Sequence, residues 1–251
     1  MSTFHCREIK IILSKALNFI LDLLFPKFCF GCKKEGLYVC QDCARQIQIN
    51  HYSFCPTCKN KTSHLKKCSL HKTHAKFFLS PFSYDNAMVK NMIHSFKYEF
   101  IKSIGPELAR FMIRSLEESH LLDCQSANRL PGHQSKELII VPVPLHKKRL
   151  AWRGFNQSEI LAKEISKNLN IKLFLDLKRN KYTKPQIEMA DIKERAENII
   201  GAFICENTKK VKGKTAILID DMITTGATIE ECARILKKSG AKEVWALTVA
   251  K

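Results

Sequence analysis

Apolar and polar positions along the chain alternate in blocks that predict an α/β protein. Four apolar runs have the length and composition of strands: 77–84, 138–143, 214–219 and 243–249. Three stretches between them have helical spacing: 87–96, 104–116 and 229–238. Because strands that alternate with helices favour a covered sheet, we expect a mostly parallel sheet with helices on both faces.

The first 28 residues form a separate, amphipathic pattern. Apolar residues from Ile9 to Leu24 recur at helical spacing, and Lys10, Lys15 and Asp22 interrupt them. An apolar run of about 18 residues, the length that spans a membrane, is therefore not predicted. We expect a helix packed on the rest of the protein, with a helix lying on a membrane surface or a partner as the alternative.

The segment from Ala216 to Thr228 carries the clearest candidate chemistry. An apolar strand ends in Asp220 and Asp221, a small turn follows, and a helix begins after it. Backbone N–H groups of such a turn and the helix N-terminus suit a phosphate, and paired carboxylates suit the hydroxyls of a ribose. The alternative is an ordinary strand–turn–helix with solvated acids.

This segment resembles the phosphoribosyl-pyrophosphate (PRPP) loop of type I phosphoribosyltransferases. The resemblance implies a Rossmann-like sheet of that fold, and Asp220 and Asp221 become the candidate catalytic residues. The residues expected to bind the 5′-phosphate of PRPP are Thr224, Thr225, Gly226, Ala227 and Thr228.

A basic cluster follows the strand 138–143. Its candidate PRPP ligands are Lys147, Lys148, Arg149 and Arg153. Because carboxyl ends of parallel strands meet at one sheet edge, we expect these cations near Asp220, where they would hold pyrophosphate together with Mg²⁺. A solvated basic turn is the alternative.

Seven of the eleven cysteines lie between positions 29 and 68. With one histidine they form four pairs of metal-ligand spacing: Cys29 and Cys32, Cys40 and Cys43, Cys55 and Cys58, Cys68 and His71. We therefore predict one or two Zn²⁺ ions rather than disulfides. The spacing leaves sequential and cross-brace pairing open, and His64 and His74 lie close to His71.

The net charge of +18 on 251 residues favours a polyanionic partner. Tyr38, Tyr52 and Phe54 lie among the lysines of the cysteine-rich segment, a combination that suits single-stranded DNA. Aromatic side chains that fill a small core explain the same pattern equally well.

Together these motifs resemble the ComF family of competence proteins. The resemblance also includes Phe96-Lys97-Tyr98, Arg153-Gly-Phe-Asn-Gln157 and Lys184-Pro-Gln186. It implies an N-terminal double zinc ribbon joined to a phosphoribosyltransferase-like domain. We expect an amphipathic helix at 1–28, a zinc-binding domain at 29–74 and the α/β domain at 75–251.

The resemblance implies a protein that binds PRPP and single-stranded DNA in natural transformation and contacts the DNA-uptake machinery. We expect the protein in the cytoplasm, and peripheral attachment to the inner membrane is the alternative. The alternative is an active phosphoribosyltransferase that transfers ribose 5-phosphate to a nitrogenous acceptor. A third hypothesis is a scaffold that binds neither ligand.

Overall fold

A computed structural model of the chain describes residues 26–62, 68–120, 137–181 and 198–251. The chain divides into two compact units, Met1–Ile47 and Gln48–Lys251. Within the described residues, no helix is both long enough and apolar enough to cross a membrane.

The described part of the first unit is a small cysteine-rich fold. An antiparallel bridge joins Phe28 to Glu35, and helix α1 spans Gln41–Gln46. The side chain of Cys40 caps this helix by accepting a hydrogen bond from the Cys43 N–H. Cys29 and Val39 are buried, so thiols form much of the interior.

The second unit is built on a six-stranded sheet. Its strands are β1 Ser53–Phe54, β2 Phe78–Leu79, β3 Leu138–Pro142, β4 Lys172–Leu173, β7 Thr215–Met222 and β8 Glu243–Ala250. Their order is β1-β2-β8-β7-β3-β4, with β1 antiparallel and the other strands parallel. Strands β5 Leu177–Arg179 and β6 Phe203–Cys205 form a separate antiparallel pair.

In the described part of the chain, the α-helices that accompany this sheet include α2 Ala87–Tyr98, α3 Gly105–Glu118, α4 Lys147–Arg153, α5 Gln157–Leu169 and α6 Ala227–Lys238. Helix α6 packs on one face, where Ile229 and Leu236 join a buried cluster with Val141 and Leu218. Helix α5 contacts β3 and β7, and α3 contacts β8. Because alternate strand residues are also buried, the sheet is covered on both faces.

The main elements expected from the sequence are present, with shifted ends. The run predicted at 77–84 is only a two-residue strand, β2, and an isolated bridge between Phe82 and Ala250 continues it. The basic cluster after β3 forms a short helix, α4, instead of a turn. Residues 182–197, which include Lys184-Pro-Gln186, lie outside the described part of the chain, as do residues 1–25 of the expected N-terminal helix.

Candidate functional site

The described residues contain two groups of four metal-ligand side chains. One group is Cys29, Cys32, Cys40 and Cys43, and the other is Cys55, Cys58, Cys68 and His71. Within each group all donor atoms lie within 4.8 Å of one another. The pairs are therefore used sequentially, and the cross-brace alternative is excluded.

The distances inside both groups fit a tetrahedral zinc ion. A Zn–S bond of about 2.3 Å places two sulfurs of a tetrahedron about 3.8 Å apart. The Cys32 and Cys40 sulfurs are 3.6 Å apart, and those of Cys58 and Cys68 are 3.9 Å apart. His71 Nδ1 lies 3.5 Å from the Cys68 sulfur. Of the two other nearby histidines, His74 places its ring Nδ1 3.3 Å from Glu230 Oε2 instead, and His64 lies outside the described residues.

One thiol in each group is held close to the ionised form that zinc requires. Burial alone would raise the pKa of Cys29, but backbone N–H groups, first that of Cys40, lower it to about 6. The side chain of His71 is the largest cause that lowers the pKa of Cys68, also to about 6. A thiolate at neutral pH binds metal without first losing a proton.

The carboxylates of Asp220 and Asp221 lie at the C-terminal end of β7, and each has its own partner. Ser158, in the first turn of α5, donates its hydroxyl hydrogen to Asp220 Oδ1 at 2.7 Å. Lys97, near the end of α2, places its Nζ 2.8 Å from Asp221 Oδ1. Two helices distant in sequence therefore hold the pair.

The surroundings of Asp220 change the titration of its carboxyl group. Burial is the main cause that raises the pKa of Asp220 from 3.8 to about 7, and the charge of Asp221 adds to it. Ser158 and Lys97 act in the opposite direction without cancelling this rise. Near neutral pH, Asp220 is therefore partly protonated, and a bound cation or hydroxyl donor would favour its ionised form.

The predicted phosphate loop connects β7 to the N-terminus of α6. Gly226 caps this helix with φ +80°, a conformation that residues with a side chain rarely adopt. A Cβ at Gly226 would lie 2.7 Å from the Cβ of Pro56, which stands between the metal-ligand residues Cys55 and Cys58. We call Cys55, Cys58, Cys68 and His71 the second metal group. It therefore contacts the phosphate loop through Pro56.

The segment that follows His71 of the second metal group is also hydrogen-bonded to α6. The backbone N–H groups of His74 and Ala75 donate to the carboxylate of Glu230, at 2.7 and 3.1 Å. Glu230 lies in the first turn of α6, where a carboxylate complements the helix dipole. The loop is thus held on the metal-binding side at Pro56 and again at Glu230.

The basic cluster lies on α4, directly after β3. Lys147 and Lys148 are exposed and Arg149 is partly exposed. Arg153 donates to the side-chain oxygen of Gln157 at 3.2 Å, which ties α4 to α5. Since β3 and β7 are neighbours in the sheet, α4 follows the strand beside the one that ends in the carboxylates.

Arg179 on β5 is a further cation of this region. Its guanidinium is nearly buried and lies 5.4 Å above the ring of Phe203. Burial is the main cause that lowers its pKa to about 10, and Arg149 adds to it, while Asp220 acts in the opposite direction. The arginine therefore stays charged at neutral pH, and its charge interacts with that of Asp220.

Sequence reasoning assigned no role to Lys97, Ser158 or Pro56. Ser158 could have been found, because the helix after β3 must begin beside the end of β7. Lys97 lies more than a hundred residues from Asp221 in sequence, so no local pattern signals their contact. Phe54 fills the core, 3% exposed, and therefore offers no base-stacking surface.

The comparisons with known proteins identify two domain families in this chain. Residues 156–251 match the phosphoribosyl transferase domain, and residues 20–70 match the double zinc ribbon domain. The chain thus combines the type of domain expected from its phosphate loop with the type expected from its cysteines.

Relatives of known name match over most of the chain. Competence protein F of Haemophilus influenzae is 28% identical, over 88% of this chain and 90% of its own length. DNA utilization protein YhgH of Escherichia coli is 28% identical, over 83% and 96%. Competence protein ComFC of Bacillus subtilis is 26% identical, over 88% and 82%. The resemblance to the ComF family that the sequence predicts is confirmed.

Among solved structures, an allosteric regulatory enzyme of purine biosynthesis is 19% identical with a TM-score of 0.35, covering 57% of this chain and 25% of that one. A similarity this low supports no functional inference.

Proposed function

We propose that this protein binds PRPP at the β7 edge and single-stranded DNA elsewhere on its basic surface, as a cytoplasmic competence protein that acts in DNA uptake. The observation that supports the PRPP site is the pair Asp220 and Asp221, held at a strand end beside the phosphate loop of Gly226. Peripheral membrane attachment and contact with uptake proteins are further parts of the proposal.

Each portion of PRPP has chemically suitable groups in this region. The amides at the start of α6 suit the 5′-phosphate, and the two carboxylates suit the ribose hydroxyls. The cations of α4 suit the pyrophosphate. Mg²⁺, when bound with PRPP, would neutralise charge on the pyrophosphate, and carboxylate oxygens are ligands that it accepts.

Calorimetric titration with PRPP and Mg²⁺ tests this part of the proposal. We expect the double variant Asp220→Asn, Asp221→Asn to lose PRPP binding while retaining its fold. Ribose 5-phosphate, which lacks the pyrophosphate, should bind more weakly to the unaltered protein. Equal PRPP affinities for the double variant and the unaltered protein would refute the site.

The DNA part has its own experiment. We expect the zinc-loaded protein to bind a labelled single strand in fluorescence anisotropy, with an affinity that falls as salt rises. A protein that binds PRPP but does not bind the strand at moderate salt would retain the first half of the proposal and lose the second.

Active phosphoribosyl transfer is the second candidate, and the parallel pairing of β3 with β7 favours it, because the strand before the cations of α4 and the strand that carries the carboxylates end at the same edge of the sheet. In this reaction the C1′–O bond loosens through an oxocarbenium-like state, and the cations of α4 stabilise the departing pyrophosphate. Release of pyrophosphate from PRPP in the presence of adenine, guanine, hypoxanthine, uracil or orotate would demonstrate it. Release equal to that from the Asp220→Asn, Asp221→Asn protein would argue for binding alone.

A further inference from the structure

Exposed aromatic side chains are concentrated at one place beside the carboxylate pair. Trp152 is 63% exposed, and Tyr98 and Phe100 are each 40% exposed. Within the described residues, these are three of the four most exposed aromatic side chains; Phe28 is the other. Large exposed apolar groups that cluster usually mark a binding surface.

The cluster has an ordered geometry. The rings of Phe100 and Trp152 meet edge to face with centroids 5.8 Å apart. The guanidinium of Arg153 lies 5.7 Å from the ring centre of Tyr98 and 5.8 Å from that of Trp152. We call the side chains of Tyr98, Phe100, Trp152 and Arg153 the aromatic platform.

We propose that the aromatic platform is where this protein stacks the bases of single-stranded DNA. This inference rests on the proposed function and assigns the DNA site, which the sequence had suggested for the cysteine-rich segment. Base stacking on aromatic rings with nearby arginine or lysine is the usual way in which proteins bind a single strand.

The charges around the platform favour a nucleic acid over a protein partner. Arg153 lies within the platform, and the exposed Lys102 and Lys148 lie on segments that border it. The centre of a protein interface is normally depleted of charged residues, whereas phosphates require them. The net charge of +18 agrees with this choice.

The platform adjoins the proposed PRPP site through covalent and hydrogen-bonded neighbours. Tyr98 directly follows Lys97, which contacts Asp221 at 2.8 Å. Arg153 bonds Gln157, and Ser158 next to it bonds Asp220. A DNA strand bound on the aromatic platform would therefore lie beside Asp220 and Asp221.

Tryptophan fluorescence gives a direct test, because the chain contains only two tryptophans. Trp152 is exposed, whereas Trp245 is 3% exposed in the core. In a Trp245→Phe protein we expect oligo(dT) to quench the emission of Trp152 on binding. An abasic strand of equal length, with the same phosphates but no bases, should quench it much less.

Variants test the same site without relying on fluorescence of the protein. Trp152→Ala should weaken binding of labelled oligo(dT) about tenfold, within the range for loss of one stacked base. Trp152→Phe should retain most of the affinity, and Leu175→Ala, which alters an exposed apolar residue outside the platform, should leave it unchanged.

The outcomes separate this inference from the proposed function. If the unaltered protein binds oligo(dT) and Trp152→Ala binds it equally well, the platform is not the DNA site, although DNA binding stands. If the unaltered protein does not bind oligo(dT), DNA binding fails and the platform inference fails with it. PRPP titration of Trp152→Ala, with affinity retained, confirms that this variant is folded.

Discussion

At the scale of single residues, Asp220 and Asp221 affect the stability of the ligand-free protein in opposite directions. Asp221 is stabilised by Lys97, and both side chains are largely buried. Asp220 lies in surroundings that raise its pKa to about 7, chiefly through burial. Adjacent carboxylates repel each other unless a ligand or a cation lies near them, and the ammonium group of Lys97 is a cation in direct contact with Asp221.

We predict that Asp220→Asn increases the stability of the free protein at pH 8. A carboxyl whose pKa rises from 3.8 to about 7 on folding stabilises the fold below pH 3.8. It loses this contribution as the pH rises through 7. Asparagine avoids that loss and retains an oxygen for Ser158. Chemical unfolding at pH 5 and pH 8 should show the larger gain at pH 8.

Asp221→Asn is the matched control. It removes the partner of Lys97, whose side chain is only 13% exposed, and leaves a largely buried ammonium group without its ion pair. We expect this variant to be less stable than the unaltered protein at both pH values. If Asp220→Asn instead loses stability at pH 8, the raised pKa of Asp220 does not destabilise the protein as argued.

At the scale of elements, the contact between the second metal group and the phosphate loop was beyond the reach of sequence reasoning. The spacing of the cysteines predicted the donors, and the Asp220 segment predicted the loop. No periodicity in either segment indicates that Pro56 packs against Gly226. Such contacts depend on how β1 joins the sheet through β2, which is a tertiary choice.

Gly226→Ala should disrupt this contact, and Gly213→Ala is its control. Both glycines have positive φ, +80° and +75°, so alanine costs each roughly 1–2 kcal/mol. At Gly213 a Cβ meets nothing within 4 Å, whereas at Gly226 it meets Pro56. We expect Gly226→Ala to lower the free energy of unfolding by roughly 1–3 kcal/mol more than Gly213→Ala does.

PRPP titration completes this comparison. Gly213→Ala should retain its PRPP affinity, because its backbone lies outside the loop. Gly226→Ala should lose most of its affinity, since Pro56 or the loop must move. Equal losses of stability in the two variants would show that Pro56 does not constrain the loop.

Zinc at the second metal group should also support the loop. We expect two zinc ions per unaltered chain by metal analysis, and one in a Cys58→Ser protein. Because Pro56 and the backbone of His74 belong to this group's surroundings, PRPP affinity should fall in the same variant. By linkage, PRPP should raise the affinity of this site for zinc, so a higher concentration of chelator is needed to remove the ion at equilibrium. Equal zinc affinities with and without PRPP would contradict the coupling.

At the scale of the whole molecule, the sequence predicted the long strands of the sheet better than its short strands or the exposed aromatic surface. Buried runs such as 138–143 and 214–219 carry their own signal, because parallel strands are apolar throughout. The short strands β1 and β4 carry almost none, with two residues each. Trp152 was equally compatible with packing and with base stacking, and only the fold shows it beside Phe100.

The two proposed ligands should interfere with each other, because helix α4 serves both. Lys147, Lys148 and Arg149 in its first turn are the proposed pyrophosphate ligands, and Trp152 and Arg153 at its end belong to the aromatic platform. We predict that PRPP with Mg²⁺ weakens the binding of oligo(dT) and lowers the slope of its affinity against salt, because bound pyrophosphate occupies shared cations.

Fluorescence anisotropy at two salt concentrations, with and without PRPP, measures this linkage. The Asp220→Asn, Asp221→Asn protein is the control, since it should bind the strand while being insensitive to PRPP. An unchanged DNA affinity in the presence of saturating PRPP would mean that the two ligands use separate cations. A DNA affinity that PRPP raises would mean that α4 is ordered by one ligand for the other, and the competition argued from the shared helix would be wrong.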